Sequence, residues 1–280
     1  MSKQQRGSPG QPKAQIEEAF ARAHFLHRQG MLNEAQGLYR EILRKMPEHY
    51  ESVHALGIIE LQRGHAKEAT RLIERALRLD PQSPAAYCNH GNAMQSLGQF
   101  NQALASYDEA IALNPGYAEA FSNRGVTLYA LGRFDDAVAS YDKALAIRAH
   151  YPEALCNKGN ALHALKRFDE ALDCYDRALV NRPDLGNALA NRADTLYVLK
   201  RFDEALAGYD RALALNPDSP ELLAKRGTAL YDLGRFDEAL DNLDRSLALL
   251  PDQPKAEFRR SIVLRKIEEA RKQERSQSGG

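Results

Sequence analysis

The stretch Arg133-Phe134-Asp135-Asp136-Ala137-Val138-Ala139-Ser140-Tyr141-Asp142-Lys143-Ala144-Leu145 returns in near copies at Arg167, Arg201 and Arg235, and in looser copies from Gln99 upstream. The spacing is 34 residues each time. A fixed period of this size outweighs the two-domain expectation that a length of 280 residues carries. Each repeat is one supersecondary unit, and it buries its apolar face only against its neighbours.

Frames open at Ile16, Tyr50, Pro84, Ala118, Pro152, Gly186 and Pro220, giving seven repeats at 16–49, 50–83, 84–117, 118–151, 152–185, 186–219 and 220–253. Residues 254–275 are apolar on one side and polar on the other, which predicts a helix that covers the last repeat. The polar ends, 1–13 and 276–280, lack periodicity and are expected to be disordered.

Within a frame the apolar period is 3.6, so the fold class is all-α. In the fourth frame Ala120, Phe121, Thr127, Leu128 and Leu131 mark a first helix over about 119–131. Gly132 stops it, and Asp135 and Asp136 open a second helix whose free N–H groups favour carboxylates. Glycine recurs at the eighth position (Gly57, Gly91, Gly125, Gly159, Gly227) and alanine at the twentieth (Ala103, Ala137, Ala171, Ala205, Ala239). Glycine inside a helix costs about 0.5–1 kcal/mol relative to alanine, so its recurrence predicts a close approach of two helix backbones. Phe134 and its equivalents at the seventeenth position, and Tyr107, Tyr141, Tyr175 and Tyr209 at the twenty-fourth, are expected to fill the space between helices.

This phase pattern, small at eight and twenty, aromatic at seventeen and twenty-four, Ala at twenty-seven and Pro at thirty-two, resembles the tetratricopeptide repeat over about residues 16–253. Departures are the missing Trp at position four, two degenerate N-terminal repeats, Ala149 in place of Pro, and Asn181 where neighbours carry Leu or Ile. The resemblance implies a right-handed superhelix of helix pairs, with first helices lining a concave groove that binds an extended or helical peptide without catalysis.

In that architecture position six would face the groove, and it reads Asn89, Asn123, Asn157, Asn191 and then Lys225. A side-chain amide both donates and accepts, so a ladder of asparagines suits capture of a peptide backbone whatever its sequence. Asn92, Asn160, Asp194, Tyr129, Tyr197 and Tyr231 extend the expected site. Tyrosine offers rigid amphipathic contact area there. Charged groove positions are mainly acidic (Glu119, Glu153, Asp194, Glu221 and Asp232 against Lys225), so the expected partner segment is extended and neutral to basic. The ladder is similar to the repeat region of O-linked N-acetylglucosamine transferases, in which such asparagines hold substrate peptides. That likeness implies an alternative role as the substrate-recognition part of a glycosyltransferase system, with its catalytic domain elsewhere. A second column, Arg124, Lys158, Arg192 and Arg226 at position seven, is expected to meet the Asp column at position twenty-five, Asp108, Asp142, Asp176, Asp210 and Asp244.

The remaining features exclude other classes. Thirty-eight basic residues balance thirty-eight acidic ones, so no whole-chain field recommends nucleic acid or an anionic membrane. No apolar run is long enough to span a bilayer, and the N-terminus lacks a signal-peptide core, which suggests a cytoplasmic protein. Cys88, Cys156 and Cys174 form no Cys-x-x-Cys pair and are expected to be buried thiols. No phosphate loop, nucleophile elbow or metal-ligand cluster occurs, so no catalytic residue, cofactor or metal is expected. Cys88, Ser122, Cys156, Ala190 and Ala224 at position five do not supply the lysine that a clamp for C-terminal carboxylates needs. Groove binding of a partner protein, with self-association as a further mode, is the function class that remains.

Overall fold

The computed structural model describes residues 11–278, with side chains from Ala14 to Glu274. In chain order the helices are α1 (Gln11–Arg28), α2 (Leu32–Lys45), α3 (Tyr50–Gln62), α4 (Ala66–Leu79), α5 (Pro84–Ser96), α6 (Phe100–Leu113), α7 (Ala118–Ala130), α8 (Phe134–Ile147), α9 (Pro152–Ala164), α10 (Phe168–Asn181), α11 (Gly186–Val198), α12 (Phe202–Leu215), α13 (Pro220–Asp232), α14 (Phe236–Leu249) and α15 (Pro254–Ser278). The fold is all-α: among the described residues, seven pairs of helices are followed by one capping helix. First helices begin where the frames open at Tyr50, Pro84, Ala118, Pro152, Gly186 and Pro220. The first repeat differs, because α1 starts at Gln11, inside the stretch read as a tail. Lys13-Ala14-Gln15 are good helix formers ahead of Ile16. Residues 1–10 lie outside the described residues. At the other end α15 continues to Ser278, since no Gly or Pro interrupts it before Gly279.

Backbone contacts divide the chain into two units, residues 1–133 and 134–280. In the first unit α3 touches α5 and α5 touches α7. In the second α9 touches α11 and α13 touches α15. First helices therefore stack on first helices within each unit, and their exposed sides form one continuous face there.

Helix ends follow local chemistry. Ser83 and Ser219 accept the backbone N–H of Ala86 and Leu222 through Oγ, and Pro84 and Pro220 occupy the first turn, where no intrahelical N–H bond is lost. Each first helix closes with paired backbone bonds, for example Gly98 N–H to Gln95 O at 2.9 Å and Gln99 N–H to Met94 O at 2.9 Å. The residue at this stop is left-handed. Gly30, Gly64, Gly98, Gly132 and Gly234 take the position at no steric cost, whereas Lys166 (φ 61°) and Lys200 (φ 60°) hold it with a side chain.

The eighth-position glycines do lie where paired helices approach closely, a Cβ on Gly227 falling 3.1 Å from Ala239 O, but the nearest atoms are those of side chains. A Cβ on Gly159 would lie 2.6 Å from Tyr175 Cε1, and one on Gly91 would lie 2.5 Å from Tyr107 Cε1. A Cβ on Gly57 would meet Ile73 Cγ1 at 2.6 Å. The helices are close because the ring of residue twenty-four lies flat in the space that a methyl group would occupy. Tyr39, Tyr107, Tyr141, Tyr175 and Tyr209 are accordingly almost fully buried. Burial of each such side chain contributes about 1.5–3 kcal/mol. The sixth repeat solves the problem in reverse: Ala193 stands at position eight, and Gly208 on the partner helix clears the space, since a Cβ there would lie 2.8 Å from Ala193 Cβ.

Two stability predictions follow from this geometry. Gly159→Ala should cost about 1–3 kcal/mol, because overlap with the Tyr175 ring outweighs the gain in helix propensity. Urea unfolding that leaves the midpoint unchanged would show that the ring has room to move. Lys200→Gly should gain about 0.5–1 kcal/mol by relieving the left-handed backbone, seen as a rise in the same midpoint.

Candidate functional site

The first-helix face is built on a recurring polar joint. The residue at position nine accepts two hydrogen bonds, one from its own repeat and one from the next. In the first unit Asn92 Oδ1 accepts from Tyr107 Oη at 2.8 Å and from Asn123 Nδ2 at 3.0 Å. In the second unit Asn160 Oδ1 accepts from Tyr175 Oη at 2.8 Å and from Asn191 Nδ2 at 2.8 Å. Asp194 repeats the arrangement, taking Tyr209 Oη at 2.7 Å on one oxygen and Lys225 Nζ at 2.9 Å on the other. Burial, first of all, and the Asp194 carboxylate raise the pKa of the Tyr209 hydroxyl, which keeps it a donor.

The expected ladder is therefore partly turned inward. The amide nitrogens of Asn123 and Asn191 are spent on the preceding repeat, and Lys225 replaces the last amide with an ammonium in the same bond. Asn89 reaches the preceding repeat too, with Nδ2 3.0 Å from His54 Nε2, and its oxygen takes a long contact from Asn92 Nδ2 at 3.5 Å. Asn157 differs: Val126 holds the ninth position of the frame before it, and among the described residues Asn157 makes no side-chain hydrogen bond. The sequence reading missed this inward role. The in-phase coincidence of Asn or Asp at nine, an amide or ammonium donor at six and Tyr at twenty-four was its visible signal.

The remaining expected residues stay on the exposed face. Tyr129 is 39% exposed. Tyr197 donates to Asp232 by a short hydrogen bond, and burial first, then that carboxylate, pushes its pKa up to about 12. Arg259 of α15 lies over the Tyr231 ring, 5.0 Å from its centroid. The acidic surplus read from the sequence is smaller in three dimensions. Glu153 pairs with Arg182 at 2.7 Å, and Lys225 bridges Asp194 and Glu221 at 2.9 and 2.6 Å. Burial works against the Lys225 ammonium, but hydrogen bonds to Glu221 and Asp194 leave its pKa raised.

In the second unit these groups surround a pocket of about 740 Å³. Asp194, Tyr197 and Val198 come from α11, Ala224 and Lys225 from α13, and Lys255 from α15. The expected residues Asp194, Tyr197 and Lys225 are thus brought together. Val198 and the contribution of α15 were not anticipated. Pro254 opens an eighth frame by the same 34-residue count, which is the signal that placed α15 in the series. Val198 is 49% exposed, a β-branched apolar side chain open to solvent on an otherwise polar face.

The opposite charge columns form salt bridges between consecutive repeats. Arg124 meets Asp108 at 2.7 Å; Lys158 meets Asp142, Arg192 meets Asp176 and Arg226 meets Asp210, each at 2.6 Å. Arg260 of α15 continues the series with Asp244. The three cysteines are free and buried, and burial first of all pushes Cys88 up to about 12 and Cys156 up to about 11, so neither is a thiolate at neutral pH.

Comparison with known proteins agrees with this construction. A TPR repeat model matches residues 91–132 and 127–166, and tetratricopeptide repeat models match residues 26–87, 152–185 and 195–263. The chain belongs to the tetratricopeptide repeat family. No curated protein matches it in a sequence comparison. Among solved structures, a chain of the APC/C hetero-tetramer Cut9–Hcn1 is similar at 20% identity and a TM-score of 0.74, over 86% of this chain and 48% of that one. The chain thus spans about half the length of that relative. PilF of Pseudomonas aeruginosa is similar at 21% identity and a TM-score of 0.68, over 75% and 95% of the two chains. YrrB, a TPR protein with an unusual peptide-binding site, is similar at 22% identity and a TM-score of 0.57, over 66% and 96%. At these identities the likeness concerns the fold. Among the described residues no helix is long and apolar enough to cross a membrane.

The first unit carries a pH response. His54 is half-buried between Tyr50 Oη, 3.4 Å from Nδ1, and the Asn89 amide at Nε2. An amide nitrogen facing Nε2 requires that nitrogen to be an unprotonated acceptor, and burial lowers the pKa from its ordinary 6.5. His90 is lowered as well, by burial, with Glu74 opposing. The unfolded chain then binds more protons below about pH 6.5, so the contribution of neutral His54 is full above that pH and is lost as pH falls through it. The melting temperature should drop between about pH 7 and pH 5, and His54→Gln should make that drop shallower. An unaltered slope in the variant would show that His54 stays neutral in both states.

Proposed function

We propose that this protein is a non-catalytic scaffold that binds an extended segment of a partner protein along its first-helix face. One observation carries the reading: the pocket between α11, α13 and α15 brings the apolar side chains of Val198 and Ala224 together with the polar groups of Asp194, Tyr197 and Lys225. A concave, largely apolar site with a few placed polar groups is how side chains of a ligand are usually held. The pocket seats an apolar anchor side chain of the segment. In the same unit the amide of Asn157, which makes no side-chain hydrogen bond among the described residues, offers a backbone hydrogen bond.

The segment is neutral to basic at its flanks, because Glu221 and Asp232 stand at the exposed edge. Lys225, held between two carboxylates, does not attract an anion strongly. YrrB, with its peptide-binding site, and a chain of the Cut9–Hcn1 hetero-tetramer share the fold, and this supports binding as the class of function. The alternative, the recognition part of a glycosyltransferase system, rests on the asparagine ladder. It is the weaker reading, since Asn123 and Asn191 spend their amide nitrogens inside the protein.

Selection of a random peptide library against the full chain tests the reading. Enriched peptides should carry an apolar anchor between neutral or basic residues. Val198→Asp should weaken them by about tenfold or more, the effect of an unpaired charge at an anchor pocket. Failure to enrich any sequence, or affinities indifferent to Val198→Asp, would overturn the proposal.

A further inference from the structure

The two N-terminal repeats depart from the pattern at connected places. Glu60 stands at position eleven, where later frames carry Met94, Leu128, Leu162, Leu196 and Leu230. Arg63 stands at position fourteen, where they carry Leu97, Leu131 and Leu165, and Gln36 at position twenty-one, where they carry Leu104, Val138 and Leu172. In space these three form one network. Glu60 is buried and accepts Gln36 Nε2 at 2.7 Å on one oxygen, while its other oxygen is 2.7 Å from His65 Nδ1. Arg63 donates to Gln36 Oε1 at 3.1 Å and to Asn33. Replacing leucines by a buried carboxylate and its partners sacrifices apolar burial and carries a desolvation cost. Cohesion between repeats alone would favour leucine.

The network forms one wall of a cleft of about 690 Å³ between α2 and α4, with α3 as its floor. Four arginines line this cleft against the two carboxylates of Glu60 and Glu68. Arg40 stands at position twenty-five, the place of the Asp column in every frame from the third onward, and among the described residues it makes no hydrogen bond or ion pair. Across the cleft Arg71 and Arg75 are one helical turn apart on α4. Arg71 is clamped by Glu68 at 3.0 and 2.6 Å in an exposed pair, and Arg75 donates to Pro47 O. Such exposed pairs exchange partners readily. Leu43, Leu56 and Leu72 supply apolar surface between the charges.

We propose that this cleft is a second binding site, on the second-helix side of the first unit, and that it takes an acidic peptide segment with aliphatic residues between its carboxylates. The guanidinium groups of Arg40 on α2 and of Arg71 and Arg75 on α4 suit carboxylates in bidentate geometry, and the leucines match the intervening side chains. The cleft is far larger than a single inorganic anion, and its lining holds no Phe, Tyr or Trp on which successive nucleic-acid bases could stack. The site is distinct from the first-helix face, so it stands or falls independently of the function proposed above.

Fluorescence anisotropy on the full chain tests it, with a labelled peptide of alternating glutamate and leucine and the same peptide with glutamine for glutamate. The acidic peptide should bind, the glutamine peptide should not, and affinity should fall as salt is raised from about 0.05 to 0.5 M. Arg40→Glu with Arg75→Glu should weaken binding by about tenfold or more. The control pair Arg177→Glu with Arg211→Glu, on α10 and α12, should stay within about twofold, and Val198→Asp should change nothing. All variants are surface changes whose folding is checked by their thermal melts. Equal binding of both peptides, equal losses in the two arginine pairs, or displacement of the acidic peptide by an equal concentration of inorganic phosphate would each overturn the proposal.

Discussion

The structure depends on the joint between the twenty-fourth and the eighth positions of each repeat. In the third and fifth repeats a tyrosine ring lies flat against a glycine of the paired helix, closer than any Cβ would permit; Ile73 and Leu243 take the ring's place in the second and seventh, and in the sixth Tyr209 faces Ala193. The tyrosine hydroxyl emerges at the ninth position and donates to an Asn or Asp there. That acceptor then takes a second donor from the following repeat. One residue thereby couples the packing inside a repeat to the register between repeats. A buried hydroxyl without a partner is costly, so the ninth position is constrained by the core as well as by solvent. Where the acceptor is missing the effect is visible: Tyr39 has His24 at that position, and its hydroxyl is buried without a partner.

This joint alters what the first-helix face can offer a ligand. Residues that look like a free ladder are half committed to the scaffold, which rigidifies them and leaves carbonyl oxygens and ring edges as the available groups. Binding capacity moves to places where the repeat breaks its own rule. The Asn157 amide makes no side-chain hydrogen bond among the described residues, and Val198 places an apolar side chain where other frames carry Ser96, Ala130, Ala164 and Asp232. Recognition surfaces on repeat proteins are built from such departures, because the repeated positions are occupied by cohesion between neighbours.

The N-terminal repeats illustrate the same principle on the other side of the helices. Glu60, Arg63 and Gln36 look like decay of the pattern when taken singly. Together they satisfy one another and present charge toward a cleft. A buried ionic network contributes less to stability than leucines would, so its presence marks a place where cohesion was traded for a different property.

What the sequence alone determined was the helical period, the frame boundaries, the capping role of α15 and the pairing of the Arg and Asp columns. These follow from local rules, 3.6-residue periodicity, helix stops and charge in phase, repeated often enough to be unmistakable. What only the tertiary structure decided was direction: whether an asparagine amide turns to solvent or to the preceding repeat, and whether a glycine faces a backbone or a tyrosine ring. A helical register places Asn123 on a face, but the competing acceptor Asn92 lies 31 residues away in sequence, and only the stacking of α5 and α7 brings the two within 3.0 Å. Likewise, no local pattern joins Gln36 to Glu60; burial of both in one low-dielectric cleft makes their hydrogen bond obligatory.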